Sequence, residues 1–206
     1  MQGPVVAIID DDSAFRNSLT RLIKTGGFET VAFPSAEDFL AAPAVGNVDC
    51  AVIDIKMQGL NGLELQEQMI RRIPGLSVVF LTGHARVSES VRAMKAGAVD
   101  FLQKPAGDDL LFAAIERGVQ RSRTSRESLA ELENLNYHYA QLTRRERAVF
   151  ALVTAGLLNK QIGFHLGITE RTIKVHRGKV MAKMKAKSFA DLVRMADRLD
   201  IQRVNI

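Results

Sequence analysis

The sequence predicts an α/β chain in which a (βα)5 doubly wound parallel sheet is followed by a small all-α unit. Three observations carry this. Across residues 1–121, five short runs rich in Val, Ile and Phe alternate with stretches of helical period. Strand patterning then stops, and only helical spacing follows. The charge also reverses: residues 1–120 hold 11 Lys+Arg against 15 Asp+Glu, whereas residues 121–206 hold 17 against 8.

The elements follow in order. Val5–Ile9, Glu29–Phe33, Cys50–Ile55, Ser77–Leu81 and Val99–Leu102 read as strands, short and bounded by acids, Gly or Pro. Between and after them, Ser13–Thr25, Ser35–Ala42, Gly62–Arg72, Val87–Ala96 and Asp108–Arg121 read as helices. Ser35 with Asp38 has capping-box spacing, and Gly26-Gly27 stops the first helix. Strands interleaved with helices require an open parallel sheet covered on both faces. Residues 122–141 form a linker read as helical, with Leu129 and Leu132 three apart after an arginine-rich start. Residues 142–206 then form the second domain, with helices over Arg144–Ala155, Asn159–Leu166, Glu170–Met184 and Ser188–Leu199.

Composition excludes several classes. No run of eighteen apolar residues is present, so no membrane span or membrane partner is expected. The N-terminus enters an apolar strand without the basic start of a secretory signal. Cys50 is the only cysteine, so neither an intramolecular disulfide nor a cysteine zinc cluster can form. A soluble cytoplasmic protein is the resulting expectation. An acidic half joined to a basic half points to a polyanion partner, although surface lysines alone suit a solvated face equally well.

In an open parallel sheet, functional groups collect beyond the carboxyl ends of the strands. Asp10, Asp11 and Asp12 follow the first strand, Asp54 ends the third, Thr82 ends the fourth and Lys104 lies just past the fifth. Carboxylates gathered on one rim repel, and a hard cation resolves the repulsion. An oxygen-only set with few protein ligands suits Mg2+, with Mn2+ as its substitute. Asp54 is the candidate nucleophile, able to accept a phosphoryl group as an acyl phosphate. Lys104 supplies a mobile positive charge and Thr82 a hydroxyl for the phosphoryl oxygens.

In the second domain, Thr143 and Glu146 have capping-box spacing, Gly167 supplies a tight turn, and Thr169 caps the next helix. In that helix Ile173, Val180 and Met184 are expected to face the core and Lys174, Arg177 and Lys179 to face outward. Val175, His176 and Gly178 fall between. Such a helix fits a major groove, and its pattern alone fits a solvated basic face as well. Gly178, at one of these intermediate positions, costs roughly 1 kcal/mol of helix propensity against Ala.

Residues 1–121 resemble receiver domains of two-component response regulators. The resemblance rests on Ile9-Asp10-Asp11, Asp54 with Met57, Leu81-Thr82-Gly83-His84, and Ala96-Gly97-Ala98 leading to Phe101-Leu102-Gln103-Lys104-Pro105. It implies that Asp54 is the phosphoacceptor and that Asp10, Asp11, Asp54 and the Lys56 backbone carbonyl hold the metal. It also implies that Thr82 and Phe101 reorient on phosphorylation. Two residues depart from the pattern: Gln58 stands where the family has Pro, and Ala106 where it often has an aromatic.

Residues 142–196 resemble the LuxR-type helix-turn-helix domain, through Thr143-Arg144-Arg145-Glu146, Asn159-Lys160-Gln161-Ile162, Arg171-Thr172-Ile173-Lys174-Val175-His176 and Lys183-Met184. The combination is the NarL/FixJ architecture, with the FixJ branch nearest. The implied DNA contacts are Lys174 and Val175 at base edges and Thr143, Lys160, Thr172, His176 and Lys179 near phosphates, with the basic Arg177 on the same helix. The implied partners are a sensor histidine kinase, double-stranded DNA carrying an inverted repeat, a second copy of the chain after phosphorylation, and RNA polymerase. The expected outcome is transcription activation.

A receiver that ignores phosphate is disfavoured by the complete set Asp10, Asp11, Asp54, Thr82 and Lys104. An enzyme on a flavodoxin-like sheet would want a phosphate-cradling glycine loop after the first strand, where this chain has three aspartates. The catalysis expected is limited to Mg2+-dependent self-phosphorylation and slow self-dephosphorylation. An autoinducer-binding domain has no room in the N-terminal half.

Overall fold

The computed structural model describes residues 3–201, so the outermost parts of both expected domains, residues 1–2 and 202–206, lie outside the described residues. The backbone packs as two units that divide after Arg126.

The first unit holds strands β1 (Val5–Ile9), β2 (Glu29–Phe33), β3 (Cys50–Ile53), β4 (Ser77–Thr82) and β5 (Asp100–Gln103). They form one sheet in the order β2-β1-β3-β4-β5, with all four pairings parallel. Helices α1 (Ser13–Thr25), α2 (Ala36–Ala41), α3 (Gly62–Arg72), α4 (Val87–Lys95) and α5 (Asp108–Ala140) connect and follow them. Alternation along β1, β3 and β4 feeds two cores. Ala7, Ile9, Ala51, Ile53, Val78 and Phe80 pack on the face that includes Leu65, Met69 and Ala93. Val6, Ile8, Cys50, Val52, Val79 and Leu81 pack on the opposite face with Leu19, Ile23, Leu111 and Ile115. Strands buried on both faces explain the near-continuous apolar runs of the sequence.

The two largest boundary differences from expectation have local reasons. β3 ends at Ile53 rather than Ile55, because the chain turns after the Asp54 N–H donates to the Ile9 carbonyl at 2.9 Å. Gly62 then returns its N–H to the Ile55 carbonyl at 3.0 Å, and a Cβ on Gly62 would lie 2.3 Å from the Asp54 carbonyl oxygen. α5 passes without a break through the segment read as a linker and ends at Ala140. No Gly or Pro interrupts residues 119–140. Its register on the sheet is set at one-turn intervals. A Cβ on Gly118 would stand 2.6 Å from Cys50 Sγ, Ser122 Oγ accepts from the Ser77 N–H at 2.8 Å, and Arg126 pairs with Asp49.

The second unit contains the end of α5 with α6 (Arg144–Thr154), α7 (Asn159–Leu166), α8 (Glu170–Lys183) and α9 (Phe189–Arg198). Val149, Phe150, Val153, Ile162, Ile173, Val180, Met184 and Leu192 form its core. Gly167, at φ +64, takes the left-handed turn between α7 and α8, and the Thr169 hydroxyl accepts from the Thr172 N–H. Among the described residues no helix is long and apolar enough to cross a membrane.

Candidate functional site

The sheet changes winding direction between β1 and β3, and the crevice opens at the carboxyl ends of those strands. Asp10 and Asp11 leave β1 there and Asp54 leaves β3. One carboxylate oxygen from each lies within 4.8 Å of the others. Lys104 arrives from β5, and its Nζ lies 2.6 Å from Asp10 Oδ2 and 3.1 Å from Asp54 Oδ2. The Lys104 N–H donates to the Thr82 carbonyl at 2.9 Å, which places these two residues side by side at the rim. Thr82 is fully buried, and its Oγ accepts from the His84 N–H at 3.4 Å. Three carboxylates against one ammonium, all oxygen donors, fit a hard divalent cation.

The Asp10 carboxyl is almost fully buried, and that burial pushes its pKa above the usual carboxylate range. The Lys104 hydrogen bond and charge and the Asp12 N–H pull it back, while the Asp54 charge adds to the rise. Asp54 is more open, with 12% of its side chain exposed, and its Oδ1 faces the Lys56 N–H at 3.4 Å. Lys56 itself is exposed. Phe101 is half-buried on β5 with its ring 6.1 Å from that of Phe80.

Asp12 does not join the other two aspartates. Its carboxylate caps α1, accepting from the N–H groups of Ala14 at 2.9 Å and Phe15 at 3.1 Å. Four supports of the rim escaped the sequence reading. The Phe15 ring lies under Lys104 Nζ at 3.9 Å, and Arg16 donates to the Asp10 carbonyl at 2.6 Å. The Gln58 N–H donates to Asp11 Oδ2 at 3.1 Å, a bond that a proline at this position has no hydrogen to make. One residue beyond the positive-φ Gly59, the Leu60 N–H donates to Glu37 Oε1 at 2.9 Å. The departure at Gln58 was the one available signal for these contacts.

In the second unit, α8 divides differently from expectation. Ile173, Val180 and Met184 are buried as expected. Arg171, Lys174, Val175, Gly178 and Lys179 are exposed, and Lys174 pairs with Glu170 at 3.4 Å one turn earlier. Arg177 turns inward instead of outward: Nη1 lies 3.3 Å from Asn159 Oδ1 and the guanidinium sits 5.3 Å from the Phe189 ring. His176 is half-buried, and its Nδ1 has no hydrogen-bond partner among the described residues. Thr172 shares a 2.9 Å hydroxyl contact with Thr169. Lys160 is exposed on the first turn of α7, and Thr143 is exposed as the cap of α6. Beneath that cap the buried Glu146 meets Lys183 Nζ at 2.6 Å. Burial raises the Glu146 pKa, but Lys183, the Thr143 N–H and the Thr143 hydroxyl together bring it down to about 2.

Comparison with known proteins matches both units. The response regulator receiver domain family matches residues 6–116, and the luxR family of bacterial regulatory proteins matches residues 140–196. Nodulation protein W of Bradyrhizobium diazoefficiens is 42% identical, over 96% of this chain and 87% of its own. Transcriptional regulatory protein FixJ of Rhizobium meliloti is 41% identical, over 95% of this chain and 96% of its own. The solved structure of response regulator StyR is 40% identical with a TM-score of 0.81, covering 95% of this chain and 99% of that one.

Proposed function

The chain belongs to the response regulators that join a receiver domain to a LuxR-type DNA-binding domain, and from that premise we propose that phosphorylation of Asp54 switches it. Membership makes it a DNA-binding transcription regulator of a two-component system, with a kinase and DNA as partners. The observation that carries the finer reading is the Lys104 ammonium bridging Asp10 and Asp54 at the rim where β1 and β3 diverge.

One Asp54 carboxylate oxygen attacks the phosphorus of a phosphohistidine in the kinase. The P–N bond breaks, the electron pair returns to the imidazole, and an acyl phosphate remains on Asp54. A bound Mg2+ or Mn2+ would spread the charge of the phosphoryl oxygens. Asp10, Asp11, Asp54 and the Lys56 carbonyl are the residues to hold it. Lys104 neutralises further charge, and exchanging its Asp54 contact for a phosphoryl oxygen requires only a short swing of a flexible stem. Asp10 keeps the second contact to Lys104 during that exchange.

Once phosphorylated, Asp54 draws the Thr82 hydroxyl toward the new oxygens. Space opens behind Thr82 and Phe101 turns inward from its half-buried position. The face carrying Val91, Lys95 and Phe101 is thereby reshaped and pairs with a second copy about a two-fold axis. The paired DNA-binding units engage an inverted repeat and activate transcription with RNA polymerase. Slow self-dephosphorylation resets the chain.

Labelling with a small acyl-phosphate donor and Mg2+ tests this. The wild type should incorporate one phosphoryl group and sediment as a dimer, whereas Asp54→Asn should do neither while keeping its fold. Full labelling of Asp54→Asn would remove Asp54 from the role.

A further inference from the structure

α8 carries a glycine that no packing contact among the described residues requires. Gly178 sits in the interior of the helix, where its backbone is ordinary right-handed helix rather than the positive-φ conformation taken at Gly167. Beyond the helix's own backbone, a Cβ built on it meets no atom of the described residues within 4 Å. The other helix-interior glycines differ. A Cβ on Gly118 would stand 2.6 Å from Cys50 Sγ, and one on Gly163 would stand 2.7 Å from the Ile168 carbonyl oxygen. Those two glycines are explained by packing, and Gly178 is not. It nevertheless bears the propensity cost of a glycine inside a helix.

The residues around Gly178 on the outer side of α8 are exposed and mostly basic. Lys174 and Val175 lie one turn earlier on the same side of α8, Arg171 two turns earlier and Lys179 next to it, and all four are exposed. Val175 leaves 54% of its surface open, an apolar contact of the kind that suits a thymine methyl. This is a cationic strip with an apolar centre and a gap beside it. A major groove is about 12 Å wide, and an α-helix with its side chains is about 10–12 Å across. At that fit a single missing Cβ decides how deeply the backbone sits.

We infer that Gly178 is a specificity-determining position, at which bare helix backbone lies against the floor of the DNA major groove. Without a Cβ there, Lys174 and Val175 reach the base edges; with one, α8 is held outward and those contacts lengthen. The inference rests on the DNA-reading role of α8 proposed above.

The test uses the full chain treated with acetyl phosphate and Mg2+. Preferred duplexes are selected from a random pool with the wild type. Affinities of wild type, Gly178→Ala and Gly178→Leu are then measured on a selected and a scrambled duplex over a salt series. Gly178→Ala should bind the selected duplex about 10-fold more weakly and Gly178→Leu more weakly still. Both should lose less affinity on the scrambled duplex than on the selected one, with the salt slope unchanged. The melting temperature of Gly178→Ala should rise, which separates the loss from unfolding. Equal affinity of Gly178→Ala and wild type for the selected duplex would overturn the inference, as would a wild type that binds DNA but selects no sequence. A wild type that binds no duplex at low salt would instead overturn the DNA-reading role itself.

Discussion

The acidic rim and helix α8 differ in how a side chain acquires its position. At the rim, position follows from topology. Asp10, Asp54, Thr82 and Lys104 each stand at or just past a strand end, and parallel strands in one sheet deliver their ends to one edge. On α8 every residue shares the same backbone, so position depends on rotation about the axis and on what neighbouring helices offer. Asn159 on α7 and Phe189 on α9 draw Arg177 inward, and neither stands near it in sequence. A site written in strand order can be read from a linear pattern, whereas a site written on one helix needs its neighbours in place.

The largest stability effect expected lies in the frame that supports α8. Glu146 is held at about 2 against an ordinary value of 4.5. A depressed folded value means that its stabilisation is fully present above pH 4.5 and is lost as the pH falls through about 2. Acid unfolding of the helical unit should therefore steepen across that window. Glu146→Gln should lower stability at neutral pH by about 2 kcal/mol and flatten the acid slope. Circular dichroism melts against pH provide the measurement, and an unchanged slope would detach the Glu146–Lys183 pair from stability.

Specificity gives the next effect. Lys174→Ala should weaken a preferred duplex by about 1–3 kcal/mol relative to random DNA if its ammonium reaches a base edge. Lys160→Ala and Lys179→Ala should weaken all duplexes alike and reduce the salt slope by about one unit. Equal losses on both duplexes for Lys174→Ala would make α8 a uniform phosphate binder. The smallest effect sharpens the contrast within α8 itself. Arg177→Ala should cost about 1 kcal/mol of stability through the lost Asn159 and Phe189 contacts. Its DNA affinity, referred to the folded fraction, should change less than that of Lys174→Ala. A larger loss of DNA affinity than of stability would return Arg177 to the groove face.

Legibility follows the same division. Strand cores and helix starts were readable because their periods and caps are local: Ser35 accepts from the Asp38 N–H, and Thr143 forms a complete capping box with Glu146. The meeting of Asp10, Asp54 and Lys104 was readable because strand ends converge. The capping role of Asp12 was not legible, since three identical residues in a row carry no sign of which one caps α1. The hold of the Gln58 N–H on Asp11 joins residues 47 apart through a backbone atom that every residue except proline carries. The helical state of residues 122–140 was readable, but its continuity with the helix that starts at Asp108 was obscured by a change in composition that did not include a helix breaker. The inward turn of Arg177 was hidden because basic residues look alike until their partners are placed.

Control of DNA reading on α8 by chemistry at the rim can be decided by a single titration. A duplex selected by the wild type is titrated with the full chain, with and without acetyl phosphate and Mg2+, beside Asp54→Asn. Phosphorylation should raise wild-type affinity by about 10-fold or more, as pairing of two DNA-binding units predicts, and should leave Asp54→Asn at the untreated value. Equal wild-type affinity in both conditions, with Asp54 demonstrably phosphorylated, would contradict the account.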